Sequence, residues 1–291
     1  MKRFGSQSMV EPLRRVLVRR PDEAFAAADP ACWHYTAAPN LETAQQEHDA
    51  FTAIIRDTGC EVISHEASLP DHADAIYTHD PVIVTNAGAI VLRMGKERRR
   101  GEEAAIAATL EDFGVPILAT LEGEATAEGG DLVWLDENTL AIGRGYRTNA
   151  EGSRQLAAVL RSIGVDTVEV PLPHGDGPVS CLHLMSLISM LDHDLAVVFL
   201  PLLPVPFLEL LDARGVQLVE VPSQEYATMG PNVLALAPRR CLALDGNPVT
   251  RERLESAGCD VSTYRGDELS LKAEGGPTCL TRPILRSTDS S

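Results

Sequence analysis

A cysteine, a histidine and a carboxylate are the minimal set for covalent catalysis: a nucleophile, a general acid/base and a group that orients it. Near the C-terminus, Glu274-Gly275-Gly276-Pro277-Thr278-Cys279 sets three backbone-shaping residues ahead of a cysteine, which a short apolar run ending at Ile284-Leu285 follows. A constrained loop of this kind presents a thiolate well, although a single cysteine is more often an inert core residue. His183 lies within the otherwise apolar Leu182-His183-Leu184-Met185, where a satisfied core histidine is the common outcome. Glu128-Gly129-Gly130-Asp131 frames a glycine pair with carboxylates directly before an apolar run, either for close backbone approach or as a capped turn. A further polar cluster, Asp74-Ala75-Ile76-Tyr77-Thr78-His79-Asp80-Pro81, places the anion of Asp80 at a strand start, where it could hold a cation.

These four clusters are remote in sequence, so the fold must bring them together. The chain repeats one unit. Helical spacing over 41–58, 101–113, 149–163, 206–214 and 250–257 ends each time at a glycine (Gly59, Gly114, Gly164, Gly215, Gly258) followed by an apolar strand. The interval between these glycines stays within 43 to 55 residues. Between the units lie paired apolar runs with turn residues in the middle, as in Val82-Ile83-Val84 with Ala89-Ile90-Val91-Leu92, and Leu132-Val133-Trp134-Leu135 with Thr139-Leu140-Ala141-Ile142. They predict hairpins, which a wholly parallel doubly wound sheet lacks. The pattern predicts an α/β fold of five ββαβ modules closed in a ring, the first and last strands completing one module and ligands sitting where the modules converge.

Composition narrows the function classes. The 291 residues are 44% hydrophobic and 23% charged, as in a globular chain, and only 4% aromatic, so the expected core is Leu, Val, Ile and Ala. A net charge of -17 argues against nucleic acid or an anionic membrane as partner. No apolar run reaches membrane-spanning length, and Met1 to Val10 lacks a signal-peptide core. The six cysteines are scattered without a CxxC pair, which predicts a reduced, cytoplasmic protein. His72, Asp74, His79 and Asp80, or His174 and Asp176, match no known metal signature, so neither a metal nor another cofactor is expected. The expected layout is a leader over 1–13, one domain over 14–286 and a tail over 287–291, with homo-oligomerisation left open. Trp33-His34-Tyr35-Thr36, in a loop-like stretch, reads equally as a lid over the site or as exposed packing residues.

On Asp74, Asp80, Arg93 in Leu92-Arg93-Met94-Gly95, Glu128-Gly129-Gly130-Asp131, Arg147-Thr148-Asn149, His183-Leu184-Met185-Ser186 and Cys279, the chain resembles the guanidine-modifying superfamily. That superfamily comprises arginine deiminases, amidinotransferases and dimethylarginine dimethylaminohydrolases, and the resemblance covers residues 14 to 286. It implies a five-bladed α/β-propeller (pentein) with pseudo-fivefold symmetry. Deiminases and amidinotransferases typically carry an acidic residue two positions after the histidine; Met185 stands there, which favours the dimethylarginine branch. His79 departs from that branch, which commonly has glutamate before Asp80.

The resemblance implies a hydrolase of a guanidino amino acid, Nω-methylated arginine first, giving citrulline and an alkylamine. Cys279 would form a thiouronium, His183 would serve as acid and then base, and Glu128 would orient His183 and bind the guanidinium. The substrate would be bound by Asp80 through its guanidinium and by Asp74 through its α-amine. Arg93 and Arg147 would clamp the carboxylate, with His79 and Asp131 alongside. Arginine deimination or dihydrolysis and amidino transfer are the alternatives within the class. A binding propeller without catalysis, as in ribosome-associated translation factors, is the alternative outside it. The same residues have plainer readings: Arg93 precedes the basic run Lys96 to Arg100, ordinarily a solvated face, and Arg147 would be a surface residue before a helix.

Overall fold

The computed structural model describes residues 3–178 and 180–287. Strand β1 (Leu13–Val18) leads into two short helices, α1 (Glu23–Ala26) and α2 (Pro30–Trp33), then α3 (Leu41–Arg56) and β2 (Glu61–Ser64). The next unit is β3 (Val82–Val84), β4 (Ala89–Val91), α4 (Glu102–Asp112) and β5 (Ile117–Thr120). It recurs as β6 (Leu132–Asp136), β7 (Thr139–Arg144), α5 (Ala150–Ser162) and β8 (Asp166–Pro171), and as β9 (Ile188–Asp192), β10 (Leu195–Val198), α6 (Val205–Ala213) and β11 (Gln217–Glu220). The last full unit is β12 (Leu234–Ala237), β13 (Arg240–Leu244), α7 (Pro248–Ser256) and β14 (Asp260–Tyr264), and β15 (Arg282–Arg286) ends the series.

Among the described residues the strands form five three-stranded sheets with one plan. The first two strands pair antiparallel, a helix crosses over, and the third strand joins the second in parallel. The first sheet is completed from the far end of the chain: β15 pairs antiparallel with β1, and β2 pairs with β1 in parallel. All five closing glycines sit in the left-handed region, at φ 83, 81, 79, 72 and 85° for Gly59, Gly114, Gly164, Gly215 and Gly258. That conformation turns the chain from helix back into sheet without a Cβ penalty.

The helices start where side chains can satisfy their free amides: Asn40 accepts from Thr43 N at 2.9 Å, and Asn149 from Gly152 N at 2.8 Å. Each helix buries an apolar stripe on its sheet. From α3, Phe51 and Ile55 are fully buried, with the Phe51 ring 4.8 Å from that of Tyr264. Truncating Phe51 to alanine should cost about 3–5 kcal/mol. The core is mainly Leu, Val, Ile and Ala, as the low aromatic content predicts.

Within the expected leader, Gly5 N donates to Ile284 O at 2.8 Å, Arg286 N donates to Gly5 O at 2.9 Å, and Val10 is buried. That stretch is thus tied to β15. Beyond Ser287, the expected tail lies outside the described residues. No helix among them is long and apolar enough to cross a membrane.

Candidate active site

Five polar segments stand just before the first strand of a hairpin. Tyr77 to Asp80 precede β3, and Glu128 to Asp131 precede β6. His183 precedes β9, Asn232 precedes β12, and Cys279 precedes β15. One plan, repeated five times, thus delivers five remote segments to one end of the sheets. Cys279, His183, Asp80, Asp74 and Arg147 from the sequence prediction line one cavity there, with Trp33, Tyr77, Lys96, Arg99, Cys181 and Glu274 beside them.

Glycines make this convergence possible. A Cβ on Gly130 would overlap the His183 ring, and one on Gly275 would overlap the Tyr77 ring. Asn232 fixes the loop that carries the nucleophile candidate. Its Oδ1 accepts from Thr278 N at 3.0 Å, and its Nδ2 donates to Cys279 Sγ at 3.3 Å. Burial pushes the Cys279 thiol up to about 12, with Asp80 acting in the same direction and His183 against it. Without a ligand, the sulfur is therefore held as a thiol at neutral pH.

His183 and Glu128 form a buried pair. His183 Nε2 lies 2.7 Å from Glu128 Oε2. Burial disfavours the imidazolium, but Cys181, Asp131 and the hydrogen bonds to Cys181 and Glu128 outweigh it, so His183 holds its proton well above the usual histidine range. Glu128 has no exposed surface. Burial works against its charge, yet the hydrogen bond from His183 and the positive charge of Arg147 hold it below the usual carboxylate range. Its other oxygen, Oε1, accepts from the backbone N of Lys96 at 2.9 Å, and Arg147 Nη1 lies 3.3 Å from Oε2. Glu128 thus stands behind His183, as an orienter does, and lies outside the cavity lining. The other ring nitrogen, Nδ1, lies 3.6 Å from Cys181 Sγ.

Asp80 Oδ1 accepts from Gly130 N at 3.0 Å and Oδ2 from Arg99 Nη1 at 2.6 Å. Burial opposes the Asp80 charge, and the cations Arg99 and His183 overcome it, holding the carboxyl below its usual range. Arg99 is only 3% exposed and also binds both oxygens of Glu102. Asp74, also in the lining, accepts from Tyr35 OH at 2.7 Å and from Lys96 Nζ at 2.6 Å.

Three predicted substrate ligands are spent elsewhere, and none lines the cavity. Arg93 sits in an isolated bridge with Ala127 and donates to Ala125 O at 3.3 Å. Asp131 accepts from Thr148 OH at 2.6 Å and from Leu184 N at 3.0 Å, so it locks the β6 and β9 approaches together. His79 is buried with Nδ1 2.8 Å from Thr281 O, and burial together with Arg282 lowers it to about 3, so its ring is neutral.

The basic run also departs from its solvated-face reading. A 3-10 turn over Glu97–Arg99 directs Arg99 inward, where Glu102 compensates its charge, and Lys96 reaches Asp74. The spacing Arg99 to Glu102, three residues apart at a helix start, was the visible signal. Trp33 is buried at the end of α2 and forms part of the cavity wall, rather than standing as an exposed packing residue. Asn232 went unnoticed because an asparagine after proline reads as a turn; its place before the fifth hairpin was the clue. Among the described residues, no three His, Cys, Asp or Glu side chains gather as a metal site would require.

The chain has relatives among known proteins. The chain is 27% identical over 276 residues to the N(G),N(G)-dimethylarginine dimethylaminohydrolase of Pseudomonas aeruginosa, covering 92% of this chain and 98% of that one. It is 28% identical over 277 residues to the enzyme of the same name from Streptomyces coelicolor, covering 93% and 96%. A solved structure of a Pseudomonas aeruginosa dimethylarginine dimethylaminohydrolase variant complexed with citrulline superposes with a TM-score of 0.78. It covers 94% of this chain and 100% of that one at 24% identity, a likeness of fold. The profile of the family described as N,N dimethylarginine dimethylhydrolase, eukaryotic, matches residues 25–286, and the chain belongs to that family.

Proposed function

We propose that the protein is a cysteine-dependent hydrolase of a linear guanidino acid, built as a five-bladed α/β-propeller whose single catalytic domain spans residues 14–286. Support for the propeller comes from the order of packing: β15 meets β3, β1 meets β12, β12 meets β9 and β9 meets β6. The observation that carries the function is that Cys279, His183 and Asp80 line one cavity, with Glu128 held 2.7 Å behind the histidine.

In this reading a planar guanidinium binds with Asp80 accepting from its N–H groups, a geometry that paired charge-assisted hydrogen bonds favour. Its positive charge brings the raised Cys279 thiol down, so that the thiol proton is released to solvent, and the thiolate attacks the guanidinium carbon. His183, already carrying a proton, gives it to the departing amine, leaving a thiouronium on Cys279. The same imidazole then takes a proton from water, whose oxygen adds to that carbon. Collapse expels the thiolate and leaves a ureido group in place of the guanidine. Glu128 keeps the ring oriented and favours its charged state. Arg147, in place of Arg93, is the arginine of the lining left to meet an acidic tail, since Arg99 is held by Asp80 and Glu102.

Nω-methylated arginine is the reference substrate, by analogy with the named activity of the relatives, with citrulline and an alkylamine as products. The test is a product assay without added metal, offering dimethylarginine, monomethylarginine and arginine separately. A ureido product and free methylamine, both lost in Cys279→Ala, are the expected result. Turnover of arginine alone moves the assignment to deimination or dihydrolysis. Turnover only with an acceptor amine moves it to amidino transfer, and silence throughout leaves a propeller that only binds.

A further inference from the structure

We infer that Lys96 fills from within the chain the place where a substrate α-ammonium would bind, so the substrate accepted best is an ω-guanidino carboxylate without a free α-amine. The inference rests on the guanidine-hydrolase reading of this cavity and concerns the part of it around Asp74. Three features there recognise an ammonium: the carboxylate of Asp74, the carbonyl of Trp33 and the face of the Trp33 ring. All three are spent on Lys96. Its Nζ donates to Asp74 Oδ2 at 2.6 Å and to Trp33 O at 2.8 Å, and it stands 5.0 Å from the ring centroid. The other Asp74 oxygen, Oδ1, accepts from Tyr35 OH at 2.7 Å. Burial and the neighbouring Asp74 push the Tyr35 phenol well above its usual range, so it remains a donor.

Lys96 is also pinned through its backbone, whose N donates to Glu128 Oε1 at 2.9 Å. Its side chain is 15% exposed and that of Asp74 6%. A second ammonium arriving here would meet a like charge, and displacing Lys96 would leave a mostly buried cation without its anion. What the cavity does offer an incoming tail is Arg147, with Lys96 beside it, which suits a carboxylate; Arg99 is held by Asp80 and Glu102. Asp80 belongs to the guanidinium end. Glu274 is the remaining carboxylate in the lining, and it is exposed at the rim. Burial raises its carboxyl, and Lys96 is the first of the cations acting to lower it. The α-carbon of the favoured substrate therefore carries hydrogen, or a nitrogen whose charge has been removed by acylation.

The test compares Nω,Nω-dimethylarginine with its des-amino analogue, the same dimethylguanidino acid with hydrogen in place of the α-amine. For the wild-type protein, kcat/KM should be at least about tenfold higher for the analogue, the difference lying in KM. Lys96→Ala frees Asp74 and should reverse the preference. A wild-type preference for dimethylarginine overturns the inference while leaving the hydrolase reading intact. If Glu274→Gln then removes that preference, the ammonium site lies at the rim. A folded Lys96→Ala protein with the wild-type ratio also overturns it. If Lys96→Ala does not fold, the wild-type ratio decides alone. Turnover of neither compound, nor of arginine, overturns the hydrolase reading and the inference with it.

Discussion

Two protonation states at the centre of the cavity set the behaviour of single residues. Burial holds Cys279 up to about 12, while the surroundings of His183 keep its proton on, so the ligand-free site pairs a thiol with an imidazolium. In peptide-mapped alkylation with iodoacetamide, Cys279 should react slowly at pH 7 and accelerate steadily towards high pH. Fast alkylation of Cys279 at neutral pH would contradict that picture. Replacing Glu128 by glutamine keeps the shape behind His183 and removes the charge. The kcat should fall by about 10²–10⁴. The imidazolium loses one of the partners that hold its proton, so the alkaline limb of the pH–rate profile should move to lower pH. An unmoved limb would remove Glu128 from this role.

At this scale the sequence was informative where a residue type is scarce, as at Cys279, or its neighbours are constrained, as at Glu128 before its glycine pair. Long side chains were not legible. Whether Arg93 or Arg99 enters the cavity depends on one 3-10 turn that the basic run conceals.

Among the elements, the approach loops carry the site and the helix ends carry the fold. Gly130→Ala should leave the protein folded at reduced stability but strongly impair turnover, because the added methyl overlaps the His183 ring; activity and melting temperature measured together would show it. Gly164→Ala meets open space but keeps a φ of 79°, so the expected loss is about 1 kcal/mol of stability with activity retained.

Helix α3 adds a pH dependence. His48 is buried with both ring nitrogens unpartnered, and burial lowers it from 6.5 to about 4. As pH falls, the unfolded chain takes up this proton before the folded one, so His48 costs no stability above pH 6.5 and progressively more between 6.5 and about 4. Asp131, raised from 3.8 to about 6, acts in the opposite sense over its own window, which makes a difference measurement the clean one. His48→Gln should flatten the fall in melting temperature over that range relative to wild type, and parallel curves would refute it. Helix extents and their closing glycines were legible because periodicity and a left-handed turn leave clear marks. The 3-10 turns were not, since three residues carry no period.

For the whole molecule, β1 and β15 join the two ends of the fold in one sheet, and the strand that closes it follows Cys279 by three residues. Truncation after Thr281 should therefore abolish cooperative unfolding as well as activity, although it removes no predicted catalytic residue. A truncated protein with a sharp melting transition would show that β15 is dispensable. The repeated module and the shared sheet were visible in the sequence because the glycine interval is nearly constant. The pairing of Gly5 with β15 was not, because a one-residue bridge has no pattern to read. The central claim for the molecule is that five remote segments converge to make Cys279 a nucleophile towards a guanidinium carbon. Its most direct test is acid-quenched mass spectrometry of the protein during turnover of whichever guanidino acid it processes fastest. The account predicts a transient mass increase on the Cys279 peptide, equal to the substrate less its leaving amine, and absent in Cys279→Ser. Turnover that proceeds with no adduct on Cys279, and continues in Cys279→Ser, would contradict it.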